Sequence, residues 1–127
     1  MQSKACGFEL NLVGVAGDPF TARAEVRRCL GVTMSAQFVD DAALLTSELV
    51  SNAVAHVGQP FSVRGSCDGE TLRIEVSDLW STSIAPVPSG EDAPAGGRGL
   101  RIVELLASRW GTELSTTGKT VWFELFA

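Results

Sequence analysis

Residues 48–56 read Glu48-Leu49-Val50-Ser51-Asn52-Ala53-Val54-Ala55-His56, and the rest of the chain falls into place around them. Counting back in helical steps, Phe38, Ala42, Leu45 and Leu49 follow one another at spacings of four, three and four. That is the apolar stripe of an amphipathic helix. Steps of three and then four carry the stripe on to Asn52 and His56, so two polar side chains fall on the face due for burial. Glu48 lies one turn before Asn52 and one step off the stripe, so a carboxylate and an amide oxygen project together. A buried polar group left unpaired costs about 1–3 kcal/mol. Asn52 is therefore satisfied either by nearby backbone, with His56 closing the helix end, or by a bound ion or ligand.

The 127 residues suit a single domain with a core of its own, spanning 1–127. A net charge of −5 argues against a nucleic-acid binder that relies on a basic face. Cys6, Cys29 and Cys67 are widely separated and odd in number, which is neither a disulfide framework nor zinc-ligand spacing. Three buried or idle thiols in a reducing cytoplasm are expected. No apolar run follows Lys4, so no secretory signal is expected. No apolar stretch approaches the roughly 20 residues that span a bilayer, so no membrane association is expected.

Taken from the start, Phe8, Leu10 and Leu12 alternate in a first strand ended by Gly14 and Gly17. Asp18-Pro19 predicts a helix start, with Asp18 as N-cap and the helix running to about Leu30 before Gly31. Its basic cluster, Arg23, Arg27 and Arg28, reads as a solvated face or as a docking patch for an acidic partner. Ser35 should cap the second helix, which ends near Gly58. Pro60 to Cys67 and Glu70 to Asp78 read as two strands joined by the turn signal Asp68-Gly69. Leu72, Ile74 and Val76 share one face of the second strand, and period two puts Asp78 on that buried face.

Leu79 to Gly97, with Pro86, Pro88, Pro94 and Glu91-Asp92, reads as a long functional lid. It closes with Gly96-Gly97-Arg98-Gly99-Leu100, ahead of a helix whose Leu100, Val103, Leu106 and Ala107 should face inward. Glycines opening a helix let backbone N–H groups approach an anion. Trp110-Gly111 should end that helix. Thr112–Thr117 and Thr120–Phe126 should form a last hairpin, turning at Gly118-Lys119. Gly118-Lys119-Thr120 does not continue a phosphate-binding P-loop, because the required first glycine would fall on Glu113 and the flanks are two strands.

In this order the pieces resemble the GHKL ATPase superfamily, the Bergerat fold of gyrase, Hsp90 and histidine-kinase ATPase domains. More narrowly the chain is similar to small stand-alone actinobacterial ATPase domains akin to anti-sigma-factor serine kinases. Residues 48–56 resemble the family's N box, Val76-Ser77-Asp78 its first glycine-box aspartate, and Gly97-Arg98-Gly99-Leu100 its second glycine box. Residues 118–125 resemble its terminal hairpin. The resemblance implies a two-layer α/β sandwich, a mixed and mainly antiparallel sheet covered on one face by three helices, with ATP and Mg²⁺ as cofactors. It implies that Asn52 holds Mg²⁺ and that Glu48 orients or deprotonates the attacking water or serine hydroxyl. It further implies that Asp78 accepts from the adenine amino group and that Thr120 supports the adenine end. Gly97, Arg98, Gly99 and Leu100 would meet the phosphates, and His56 would be structural.

The implied activity is that of an anti-sigma-factor-type regulator, a serine/threonine kinase acting on an anti-sigma antagonist while its own surface holds a sigma factor, with a homodimer by analogy. One departure stands out. Where the family continues Asp-x-Gly, this chain has Asp78-Leu79-Trp80. Trp80 stacks on the nucleotide, fills the site, or faces a partner. The last two cases correspond to an alternative function, a catalytically inactive binding module that regulates a sigma factor by contact alone. A module detached from a sensor kinase is a third alternative.

Overall fold

The computed structural model describes residues 6–31, 34–56, 59–78, 98–116 and 118–127. The elements run β1 (Cys6–Leu12), α1 (Asp18–Leu30), α2 (Ala36–His56), β2 (Phe61–Asp68), β3 (Thr71–Asp78), α3 (Arg98–Leu106), β4 (Arg109–Ser115) and β5 (Gly118–Phe126). The strands form one sheet in the order β1-β2-β3-β5-β4. The resemblance implies a mixed and mainly antiparallel sheet; among the described strands it is antiparallel throughout, in all four pairings. The helices cover one face, giving the two-layer α+β sandwich of the Bergerat fold.

Alternation along the strands decides which face is covered. Phe61, Val63 and Cys67 on β2, Leu72, Ile74 and Val76 on β3, and Val121, Phe123 and Leu125 on β5 are all buried on the helix-facing side. They meet the α2 stripe of Phe38, Ala42, Leu45 and Leu49, together with Val26 and Leu30 of α1 and Val103 of α3. Each fully buried large side chain contributes about 1.5–3 kcal/mol of transfer free energy. α2 is the central element, packed on both other helices and on the sheet. Ser35 caps it as expected, its Oγ accepting the Phe38 N–H at 3.2 Å.

Asp18 differs from its expected role. The residue preceding α1 is Gly17, with no side-chain cap. The Asp18 carboxylate, buried in the first turn, instead folds back and accepts the N–H groups of Gly14 and Val15 at 2.8 and 2.9 Å. It closes the β1–α1 loop, where Gly14 takes a φ of 92°. The basic cluster of α1 is largely engaged within the chain. Arg27 pairs with Asp40 of α2 at 2.9 Å, Arg28 pairs with Glu25, and the Arg23 guanidinium lies 5.8 Å from the Phe20 ring centroid.

Further expectations are corrected. Cys6 and Cys29 are joined by a disulfide, tying edge strand β1 to the last turn of α1, and only Cys67 is a free, buried thiol. At the other end of the chain α3 stops at Leu106, and Trp110-Gly111 already belong to β4. Leu106 is 41% exposed, while Val103 is fully buried and Ala107 packs against the core. Ser115 pairs with Gly118, so the chain turns before Gly118, and Gly118-Lys119 lies within β5. Among the described residues no helix is long and apolar enough to cross a membrane.

Candidate functional site

Three elements converge at one end of the sandwich. A groove of about 530 Å³ marks the opposite end, where Met34, Ser35 and Phe38 near the start of α2 meet Gly69 and Glu70 of the β2–β3 turn. From Phe38 to Asn52 the helix advances about 21 Å at 1.5 Å per residue. From Glu70 to Asp78 the strand advances about 26 Å at 3.3 Å per residue. Asn52 and Asp78 therefore reach the same end. α3 leads into β4, whose Arg109 pairs with Glu124, itself in register with Arg73. That places the C-terminal end of α3 towards the groove end.

Asn52 lies on the buried stripe of α2, 6% exposed. Its Oδ1 is buried with no hydrogen-bond partner. The other buried polar side chains of the helix are satisfied locally: Thr46 Oγ1 donates to the Ala42 carbonyl at 2.8 Å and Ser47 Oγ to the Leu44 carbonyl at 3.0 Å. Of the two readings of Asn52, nearby backbone does not satisfy its amide oxygen. Glu48, half-buried, stands one turn earlier on the same side of α2.

Asp78 ends β3 on the helix-facing side and is 8% exposed. It belongs to a row of register partners that crosses the whole sheet: Leu12, Phe61, Asp78, Lys119 and Leu114. Lys119, half-buried, is thus its neighbour on the same face of the sheet. Thr120 is not. It is in register with Ser77, and the two hydroxyls hydrogen-bond at 2.8 Å on the outer face. The sequence reading names Thr120, which lies on the other face of β5 from Asp78, and does not name Lys119.

Arg98, Gly99 and Leu100 form the first turn of α3. Gly97, Trp80 and the lid over 79–97 lie outside the described residues. His56 is the last residue of α2. Among the described residues no three His, Cys, Asp or Glu side chains come together as a metal cage. One amide oxygen such as Asn52 Oδ1 suits a hard cation that keeps waters and leans on ligand phosphates.

No curated protein matches the chain. Among solved structures it is similar to the RsbU and RsbW domains of Rv1364c from Mycobacterium tuberculosis, with a TM-score of 0.72 and 20% identity. That likeness covers 94% of this chain and 32% of the other, so the chain spans about a third of the length of that structure. Residues 20–125 match the family described as the histidine kinase-like ATPase domain, a span that runs from the start of α1 through the last hairpin. The chain is a member of the histidine kinase-like ATPase domain family.

Proposed function

We propose that the chain binds Mg·ATP at the end defined by Asn52 and Asp78, and works as an anti-sigma-factor-type regulator with serine/threonine kinase activity. The observation that carries this reading is the buried, unpartnered Oδ1 of Asn52. An orphaned amide oxygen costs about 1–3 kcal/mol in an empty protein. A hard cation held there would satisfy it. Magnesium, when bound, would neutralise phosphate charge as phosphoryl transfer proceeds.

The remaining roles belong to the chain's own side chains. Glu48, one turn before Asn52, would orient or deprotonate the attacking hydroxyl. Asp78 would accept from the adenine amino group. Backbone amides at Gly97, Arg98, Gly99 and Leu100 would receive the phosphates at the start of α3, where the helix dipole favours negative charge. The substrate would be a serine or threonine of an anti-sigma antagonist, the regulated partner a sigma factor, and the working form a homodimer in the cytoplasm. A second reading, regulation by protein contact without phosphotransfer, is favoured by Leu79-Trp80 in place of the family's Asp-x-Gly.

Calorimetric titration of Mg·ATP into the wild type and Asn52→Ala tests the site. Binding in the wild type that is lost in the variant supports it, and no binding in either overturns it. Glu48→Ala separates the two readings. Loss of phosphotransfer to an antagonist with ATP still bound supports the kinase. A wild type that binds a sigma factor and transfers nothing supports the contact regulator.

A further inference from the structure

Lys119 stands beside Asp78 across the β3–β5 ladder, on the same helix-facing side of the sheet and at the end that Asn52 reaches. We infer that Lys119 reads the ring edge of the bound purine, donating to the ring nitrogen that flanks the amino group held by Asp78. This rests on the nucleotide reading given above and extends it.

The two side chains are chemically complementary to one edge of adenine. An ionised carboxylate only accepts hydrogen bonds and an ammonium only donates them. The 6-amino group donates, and the ring nitrogens on either side of it, N1 and N7, accept. A neighbouring acceptor and donor on one surface therefore match a neighbouring donor and acceptor on the base. The carboxylate has about four lone-pair sites, so a contact to Lys119 leaves room for the amino group. Thr120 does not compete for this place, because its hydroxyl is turned to the outer face against Ser77.

The surroundings allow the lysine to reach. Its other cross-strand neighbour is Leu114, which is 62% exposed and offers apolar surface along which a lysine stem can lie while its charged head extends. The opposite neighbour of Asp78 is Phe61, which is buried and carries no donor. Within this row of the sheet Lys119 is thus the side chain that can donate beside Asp78.

The test is a titration of Mg·ATP, Mg·1-deaza-ATP and Mg·7-deaza-ATP into the wild type and Lys119→Met. Each analogue replaces one flanking ring nitrogen by C–H. A charge-assisted hydrogen bond is lost with the right analogue, so the wild type should bind one of the two about tenfold or more weakly than ATP. Lys119→Met, which keeps the apolar stem, should bind ATP and that analogue equally, whereas Lys119→Arg should keep the preference. A wild type that binds all three alike overturns the inference, as does a preference that survives in Lys119→Met. Both outcomes leave the nucleotide site standing. No ATP binding by the wild type overturns the nucleotide reading and this inference with it.

Discussion

The hydroxyls of Ser77 and Thr120 lie 2.8 Å apart on the outer face of the sheet, one residue along from the Asp78–Lys119 pair on the inner face. A one-residue step on a strand reverses the side-chain direction. Thr120→Val should therefore leave Mg·ATP affinity within about twofold of the wild type. The lost hydroxyl pair should cost no more than about 1 kcal/mol of stability, part of it offset by the strand preference of valine. Calorimetric titration and thermal unfolding check the two halves. A tenfold loss of affinity would mean that Thr120 reaches the base around the end of the strand.

Asn52 carries an opposition between stability and binding. Its Oδ1 has no hydrogen-bond partner among the described residues, although the residue is almost fully buried. Replacing an unpaired polar group by an apolar one of similar size removes the desolvation cost. Asn52→Leu should raise the melting temperature of the free protein by about 3–5 °C while abolishing the stabilisation that Mg·ATP gives the wild type. Thermal unfolding with and without Mg·ATP reads both effects. A destabilised variant would mean that Asn52 is satisfied in the free protein.

What could be read from the sequence followed from periodicity. The α2 stripe runs unbroken from Phe38 to Leu49, so the polar Asn52 stood out as the residue that broke it. Asp78 stood out in the same way, two residues beyond Val76 on a strand whose period is two. Lys119 did not, because Gly118 suggested a turn. The chain turns before Gly118, and the pairing of Ser115 with Gly118 draws Lys119 into the strand. Trp110 misled for a related reason. It continues the helical spacing of Val103 and Ala107 and precedes a glycine, yet hydrogen bonding to β5 claims Arg109–Ser115 as strand. Local pattern gives way there to pairing with a partner that follows in the sequence. The Cys6–Cys29 bridge joins residues separated by 23 positions, and only the packing of α1 on β1 brings their Cα atoms to 6.2 Å.

Gly65 is a position where the sheet needs a bare backbone. It faces Phe8 directly across the β1–β2 pair. A Cβ built there would lie 2.4 Å from Phe8 Cε2 and 3.0 Å from Ile74 Cδ1. The Phe8 ring thus fills the space a side chain would occupy and seals the edge of the core. Gly65→Ala should force the ring outwards and cost about 1–3 kcal/mol, the usual range for an overpacked core. Gly65→Ala combined with Phe8→Leu should recover part of the loss, because the two residues share one space. Chemical denaturation of the single and double variants measures the coupling. Additive effects would mean that the strands separate to accept the methyl group without moving Phe8.

The Cys6–Cys29 bridge makes the stability of the protein sensitive to reduction. It closes a loop that contains all of α1 except Leu30 and pins an edge strand that, among the described strands, has one sheet neighbour. For a loop of about this length the chain-entropy contribution is about 3 kcal/mol. Reductant, or Cys6→Ser with Cys29→Ser, should lower the denaturation free energy by up to that amount. Cys67 provides an internal control. Burial, and then the neighbouring Asp68 charge, push its thiol above the ordinary cysteine range. A thiol that ionises later in the folded than in the unfolded state contributes stability that is full below the unfolded pKa and is lost as pH rises through the folded one. Near neutral pH, Cys67 should therefore stay protonated and resist alkylation until the protein unfolds. Mass spectrometry after alkylation of the native oxidised protein should find no modified cysteine, and after mild reduction two. Alkylation of Cys6 and Cys29 without reductant would show that the bridge does not form in solution.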